Sequence, residues 1–433
     1  MNYNQYFVNA GLEQPTDMQS VYFQDKSPFS ILLANTGSGK TLAFLVKLIE
    51  ILEQSAPTDK VLILCPTREL AHQVAKNWSS LKTERKTVLC YGGHSFKNEA
   101  QQFDQRPQVI VATPGRMLDH FRRETKGLDG FNHLIIDEYD KTLEMGFLRE
   151  INEIYSYGNN VKSIQLISAT VIDTLPDIVK NIAFTTHDFL AAEKPNITYH
   201  GVKAEGHDKL FALVSFLATL KPGPTLIFCT HRDATERISK HLIEYGKSNV
   251  LFHGGMEQPE RERALVKFKN GTENILVCTD LAARGLDIPD ISYVIHYQFP
   301  HTFQDFTHRN GRTARMQKDG KVFLIHSQEE PLPSYTESLE IKAVKAPEII
   351  GHFQETGWTT LYLSVGRKDK IRKMDIAGFF LKEMECNADE IGIIEVFDGY
   401  SYVAIKSKKL QKIKDQFHKR KIKKISVRIS LCR

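Results

Sequence analysis

Two series of short aliphatic runs constrain this chain more than any other feature. Residues 30–34, 61–65, 87–91, 108–112, 133–137 and 163–168 are rich in Ile, Leu and Val, and amphipathic stretches such as Lys40–Leu52 and Glu69–Leu81 lie between them. A sheet with one wet face would alternate apolar and polar residues. Near-continuous apolar strands joined by helices instead require a parallel sheet covered on both faces, in a layered α/β architecture. The pattern stops near Lys194-Pro195 and restarts at 225–229, 249–253, 274–278, 293–297 and 321–326. Two consecutive α/β domains are expected, over 1–192 and 193–345, with 346–358 as a linker.

The remaining segment, 359–433, has a different rhythm. It predicts a strand at 360–366, a helix at 375–384, strands at 391–398 and 400–406 joined through Asp398-Gly399, a helix at 408–420 and a strand at 424–430. That β-α-β-β-α-β order is the split βαβ unit of a small α+β domain. Charge divides the same way. The whole chain has 57 basic and 52 acidic residues, but 359–433 alone has 18 and 9, a net of +9 that leaves −4 for the rest. Arg367, Lys368, Lys370, Arg372 and Lys373 place five cations in seven residues, more than solubility requires, and are the expected phosphate contacts of this domain. The Lys-rich segments after 406 read either as a solvated face or as further phosphate contacts.

The chemistry lies in the first α/β domain. Ala34-Asn35-Thr36-Gly37-Ser38-Gly39-Lys40-Thr41 follows an apolar strand and opens a helix. Such a turn presents backbone N–H groups and a positive helix end to a phosphate chain, with Lys40 for the β/γ-phosphates and Thr41 for Mg²⁺. Asp137-Glu138 closes a strand further on, where an Asp holds the magnesium shell and an adjacent Glu can activate water. Residues 308–315 carry Arg309, Arg312 and Arg315 in the second domain, where an arginine can neutralise a transferring phosphate only if the two domains close on one another. The six cysteines include no metal-ligand spacing, and Cys65, Cys90, Cys229 and Cys278 close apolar runs, as buried strand-end thiols do. No signal peptide and no bilayer-length apolar run is seen, so a cytoplasmic protein without a membrane partner is expected.

These residues together resemble the DEAD-box ATP-dependent RNA helicases, in order from residue 11 to 330. Gly11 through Pro15-Thr16 to Gln19 is similar to the adenine-reading motif, in which the Gln19 amide would pair with the base. Thr36, Gly37, Ser38, Gly39, Lys40 and Thr41 match the phosphate motif. Pro66-Thr67-Arg68, Gly92-Gly93 and Thr113-Pro114-Gly115-Arg116 match the RNA-backbone motifs of the first domain. Asp137-Glu138-Tyr139-Asp140 stands at the motif that names the family, and Ser168-Ala169-Thr170 at the one that couples hydrolysis to strand separation. In the second domain the resemblance assigns Arg232, Gln258, Arg261 and Thr279 to RNA, Asp287 to the ribose, Arg312 and Arg315 to the γ-phosphate, and His308 to domain coupling.

The resemblance implies two tandem RecA-like P-loop domains followed by an RRM-like one, with ATP and Mg²⁺ between the first two and single-stranded RNA crossing both. ATP would close the cleft, and the closed form would bend one RNA strand and open a short duplex. The C-terminal segment resembles the RNA-binding domain of ribosomal-RNA helicases, through 366–372, Asp375-Ile376 and 396–405. It would tether a monomeric core to structured ribosomal RNA, in or near a pre-ribosomal particle. Tyr400 and Tyr402 fit the base-stacking pattern of such domains, although Asp398 and Ile405 depart from it, and cross-strand packing is an equal reading.

Three residues depart from the family pattern. Tyr139 replaces alanine, Leu12 replaces an aromatic, leaving Tyr3, Tyr6 or Phe7 as candidates to stack on adenine, and Ala314 replaces glycine. Hydrolysis is expected to survive the tyrosine. Two other readings compete with an unwinding enzyme, namely a DNA helicase of the same superfamily and an ATP-dependent RNA clamp or assembly scaffold with little strand separation.

Overall fold

The computed structural model describes residues 3–93, 95–172, 174–191, 196–204, 208–280, 291–314, 319–418 and 420–432. It falls into two compact units, the first ending at Pro195 and the second starting at Asn196.

The first unit is a seven-stranded parallel sheet. Its strands are Phe29–Leu33 (β1), Val61–Leu64 (β2), Thr87–Cys90 (β3), Val109–Ala112 (β4), Phe131–Ile136 (β5), Gly158–Ser168 (β6) and Thr185–Asp188 (β7), in the order β3-β4-β2-β5-β6-β1-β7. All four residues of β2 and of β4 are buried, which is why these strands do not alternate in sequence. Val61 and Ile63 of β2 enter one core with Phe44, Leu48 and Trp78 of the flanking helices, whereas Leu62 and Leu64 enter another with Met117, Phe121 and Ile151. The helix Lys40–Gln54 covers the first of these faces with Ala43, Phe44, Leu48 and Leu52, spaced at helical intervals.

The second unit repeats the plan with Ile197–Lys203 (β8), Thr225–Cys229 (β9), Val250–Phe252 (β10), Ile275–Thr279 (β11), Tyr293–His296 (β12), Gly320–His326 (β13) and Ile341–Lys345 (β14), ordered β10-β11-β9-β12-β13-β8-β14 and again parallel. A third, antiparallel sheet follows, built from Trp358–Leu363 (β15), Ile391–Val396 (β16), Ser401–Lys406 (β17) and a last strand, in the order expected of a split βαβ unit. Residues 346–358, expected as a linker, carry Ile350 and Phe353 against the core of the second sheet.

Five elements depart from the sequence reading. β7, β8 and β14 were not expected, because Thr185–Asp188 and Ile341–Lys345 are polar edge strands with mostly accessible residues. The strand expected at 424–430 is broken. Arg420–Ile422 (β18) and Ile425–Val427 (β19) form a hairpin, and Ile429–Leu431 (β20) alone joins the sheet. Lys423 and Lys424 turn that hairpin with φ of 48° and 70°, a left-handed conformation that no strand accommodates. The helix expected at 408–420 is the helix Ser407–Ile413 followed by a 3₁₀ turn to Gln416. No helix among the described residues is long and apolar enough to cross a membrane.

Candidate active site and RNA-contacting edges

The carboxyl ends of β1, β6 and β5 lie side by side, and each delivers one part of the candidate ATP site. From β1 the chain runs through 34–39 into the helix Lys40–Gln54, and the Ala34 N–H donates to Ser168 O at the end of β6 (3.2 Å). Gly39 has φ +91°, and a Cβ there would lie 2.6 Å from Gln19 Nε2, so only glycine lets Gln19 approach. Thr36, Gly37 and Ser38 form the loop, and Thr41 stands in the first turn of the helix, where N–H groups and the helix dipole favour an anion. Lys40 Nζ donates to Ala34 O (2.5 Å) and Asn35 O (3.0 Å), across the inside of the loop.

Gln19 sits in the helix Asp17–Gln24, whose N-cap Thr16 forms a reciprocal capping box with it. Gln19 Oε1 accepts from Thr16 N (2.9 Å), and Nε2 donates to Gly39 O (3.2 Å). The amide thus spends one bond of each kind on holding the P-loop in register and keeps a second N–H and a second lone pair. Of the aromatics that could stack on adenine, Phe7 is in the core at 2% exposure. Tyr3 packs on Phe23 and donates to Glu53 Oε2 (3.0 Å).

β5 ends in the carboxylate pair. Asp137 is 2% exposed and its Oδ1 accepts from Glu138 N (2.9 Å). Asp137 Oδ2, Glu138 Oε2 and Ser38 Oγ are buried with no hydrogen-bond partner among the described residues. Such groups are costly unless something fills their coordination, so the donor set fits a hard cation with oxygen ligands. Burial, then the adjacent Glu138 charge, pushes the Asp137 carboxyl up to about 7, while Lys40 acts in the opposite direction. Glu138 has φ 48° and ψ 53°, a left-handed conformation that costs a non-glycine residue about 1–3 kcal/mol and is typical of functional turns.

Thr170 Oγ1 donates to Asp140 Oδ2 (3.0 Å), and Ser168 Oγ donates to Thr170 O while accepting from Thr170 N. The end of β6 is therefore hydrogen-bonded to both the P-loop and the carboxylate helix. Tyr139 does not intrude on this chain of bonds. Its ring is fully buried among Ile136, Leu166 and their neighbours, and its hydroxyl donates to Thr174 O (2.8 Å). Tyr139→Phe is expected to lower the stability of the first unit by about 1 kcal/mol, the worth of one buried hydrogen bond, and to leave ATP turnover intact. Urea unfolding followed through Trp78 would measure it, and an unchanged midpoint would show that the Thr174 bond contributes nothing.

The opposite end of the strand row carries the expected RNA residues. Pro66 and Thr67 follow β2, with Thr67 Oγ1 capping the helix Arg68–Ser80 by accepting from Leu70 N (3.2 Å). Gly92 and Gly93 follow β3, and the Arg68 guanidinium crosses Gly92 so closely that a Cβ would meet it at 3.2 Å. Thr113 stands at the N-cap of the helix Pro114–Arg122 after β4 without a side-chain capping bond, with Pro114 in its first turn and Gly115 and Arg116 next. The strand order puts β3, β4 and β2 together, away from β1, so the residues expected at RNA and those expected at ATP gather towards opposite edges of the sheet.

Sequence reasoning missed the support of Arg116. Its Nε donates to Glu99 Oε2 (2.7 Å), and its guanidinium lies 5.0 Å over the Phe96 ring. Glu99 is 1% exposed, accepts from Tyr91 N and contacts His120 Nε2 (2.8 Å), while His120 stacks on Phe96. A buried carboxylate needs such partners, but they are scattered over residues 91–120 without periodicity.

In the second unit Arg232 begins the helix after β9, Gln258 and Arg261 lie on the helix after β10, and Thr279 ends β11. Those three strands are neighbours, so the assigned RNA residues again share one edge. Arg261 is buried with its guanidinium 5.1 Å from the Phe252 ring. His308 lies in the helix Phe303–Asn310 and Arg312 just beyond it, both buried. Asp287 and Arg315 lie outside the described residues. The pairing of Asp280 with Arg309 escaped the sequence reading. Arg309 forms a two-pronged ion pair with Asp280 through Nε and Nη2, and its Nη1 donates to Gln298 O (2.6 Å). It thereby ties the end of β11 to the helix that leads to Arg312.

Comparison with known proteins agrees with this arrangement. Residues 17–178 match the DEAD/DEAH box helicase model, 208–317 the helicase conserved C-terminal domain and 360–431 the DbpA RNA binding domain. The ATP-dependent RNA helicase DbpA of Escherichia coli is 32% identical over 413 residues, covering 92% of this chain and 90% of its own. The protein of the same name from Bacillus subtilis is 31% identical over 416 residues, covering 87% and 85%. The structure of Saccharomyces cerevisiae Dbp5 bound to RNA and ADP BeF3 superposes with a TM-score of 0.69 at 22% identity, over 80% of this chain and 94% of that one, a likeness of fold. With both the catalytic motifs and the C-terminal domain in agreement over nearly the whole length, the chain belongs to the DEAD-box ATP-dependent RNA helicases of the DbpA type, RNA-stimulated ATPases.

Proposed function

We propose that this helicase remodels structured ribosomal RNA during ribosome assembly, acting as a cytoplasmic monomer that opens short duplexes near the RNA held by its C-terminal domain. The observation that carries the proposal is the exposed basic rim of that domain. Arg367, Lys368, Lys370, Arg372 and Lys373 are all exposed, with Lys370 in a left-handed turn and Arg372 at the N-cap of the helix Lys373–Lys382. Five exposed cations on one turn and the helix start that follows it offer a cluster of contacts to the phosphates of an RNA. The relatives named DbpA share the domain, which supports the same class of target.

In this reading the P-loop N–H groups and the helix end at Lys40 bind the phosphates of ATP, and Lys40 turns from the Ala34 and Asn35 carbonyls towards them. Thr41 and Asp137 would hold Mg²⁺, which supplies charge neutralisation at the phosphates. Glu138 accepts the proton of the attacking water. Arg312, together with Arg315, stabilises the charge that develops on the γ-phosphate. Thr170 and Ser168 register the change at Asp140 and pass it to the end of β6. The gap between a core of net −4 and a tail of +9 suits a motor that releases its strand while the C-terminal domain stays bound.

Phosphate release from the full chain, titrated with ribosomal RNA, an unrelated transcript of equal length and single-stranded DNA, tests the proposal. Half-maximal stimulation is expected at a concentration about tenfold lower for ribosomal RNA, with DNA inactive. Equal response to both RNAs would refute the ribosomal target, and stimulation by DNA would favour the DNA-helicase alternative. Strand separation measured in parallel distinguishes unwinding from an RNA clamp, because a clamp hydrolyses ATP without releasing the strand.

A further inference from the structure

The sheet of the C-terminal domain has two faces. Leu361, Leu363, Val403 and Ile405 point to the domain's own helices and form its core. By the two-residue period of a strand, Trp358, Thr360, Tyr362, Tyr402 and Ala404 occupy the outer face, with Tyr362 opposite Tyr402 and Thr360 opposite Ala404. In a lone domain of this fold that face would be wet. Here Thr360 is 1% exposed, Ala404 0% and Tyr402 5%.

What covers it is the helix Gln258–Lys269 of the second α/β domain and the turn after it. Asn270 Nδ2 donates to Thr360 Oγ1 (3.1 Å), and Thr272 Oγ1 shares a 2.7 Å hydrogen bond with the same hydroxyl. Thr356 Oγ1 donates to Thr272 O (3.1 Å), and Gly271 lies against the Trp358 ring. At the other end of the face, Tyr400 Oη donates to Glu262 Oε2 (2.6 Å). The second oxygen of the same carboxylate, Oε1, accepts from Gln258 Nε2 (3.2 Å). One carboxylate therefore bridges a residue assigned to RNA in the motor and a tyrosine of the C-terminal domain. Burial, with Glu262 close by, also raises the Tyr400 hydroxyl pKa, which keeps it a donor.

We infer that the outer sheet face is an intramolecular docking surface for the helix Gln258–Lys269 rather than a base-stacking platform, and that Glu262 is a positioning residue that couples RNA held by the C-terminal domain to Gln258 of the motor. The C-terminal domain is then a fixed arm and not a loose tether. RNA reaches it at the basic rim, Arg367 to Lys373, and the register between rim and motor is set by the Thr360 and Tyr400 contacts. The docking stands on the contacts alone, whereas the coupling rests on the proposed function.

Docking is tested on the full chain without RNA, by energy transfer between labels at Lys240→Cys and Lys382→Cys. A single narrow population is expected, and Thr360→Arg should broaden it, because an arginine on the outer face has no room against Asn270 and leaves the inner core untouched. A broad population in the unaltered chain, or a narrow one that Thr360→Arg leaves unmoved, would overturn the docking. Coupling is tested by a double-mutant cycle of Glu262→Ala and Tyr400→Phe on phosphate release. Each is expected to raise the concentration of structured RNA needed for half stimulation by about two- to tenfold, the range of one hydrogen bond, with kcat unchanged and no further loss in the double variant. Additive effects, or a fall in kcat with unstructured RNA, would overturn it. If no RNA stimulates the unaltered chain, the proposed function fails while the docking result still stands.

Discussion

Glu138→Gln in the full chain is expected to lower RNA-stimulated ATP turnover by about 10²–10⁴, the usual contribution of a positioned general base. The side chain keeps its size and hydrogen-bonding reach, so the turn at φ 48° and the Thr142 N–H bond to Glu138 O (2.9 Å) are retained. What is lost is the capacity of Oε2 to accept a proton. Because binding is left in place, this variant should hold RNA longer than the unaltered chain in the presence of ATP. Lys40→Ala should abolish turnover by a different route, raising the ATP concentration needed, because its Nζ supplies charge to the phosphates rather than basicity. Steady-state phosphate release and RNA dissociation on the same samples separate the two. A Glu138→Gln rate within about threefold of normal would remove Glu138 from the role of base.

The parts of this site that were legible in the sequence are those in which one local segment does the chemistry. The P-loop from Ala34 to Thr41, Asp137-Glu138 and Ser168-Thr170 each sit at a strand end, and the structure places all three strand ends side by side. Apolar strands such as β2 and β4 were legible for the same reason, since burial on both faces leaves its mark on every residue. Edge strands were not. Thr185–Asp188 pairs with β1 through its backbone, and its side chains carry no trace of that pairing. The buried charges were hidden for a different reason. Glu99 is paired with Arg116 and His120, so its burial is a property of three residues and of no single segment. The role of the C-terminal sheet was only half legible. Tyr400 and Tyr402 invited comparison with a stacking platform, but Tyr400 hydrogen-bonds to a carboxylate 138 residues earlier in the chain, and no local pattern marks that contact.

Arg309→Met is expected to destabilise the second unit by about 1–3 kcal/mol, the cost of leaving partly buried hydrogen-bonding groups without their partner. Arg309 is 2% exposed and lies over the Phe228 ring, so the methionine can fill much of its space. The loss therefore falls on Asp280, whose carboxylate loses both guanidinium donors, and on Gln298 O, which loses its donor. His296 cannot take over the charge. Burial, the largest cause of its low pKa, persists when Arg309 is gone, and its Nε2 is already engaged with Asn310 (2.8 Å). Asp280→Asn combined with Arg309→Met should cost less than the sum of the two, because the uncompensated carboxylate is gone. The chain has two tryptophans, Trp78 and Trp358, one in each unit. With Trp78 replaced by phenylalanine, urea unfolding followed by Trp358 fluorescence reports the second unit alone. An unshifted midpoint in Arg309→Met would mean that the pair does not hold the end of β11 to the helix Phe303–Asn310. Arg312 would then owe its position to some other contact, since it follows that helix by two residues.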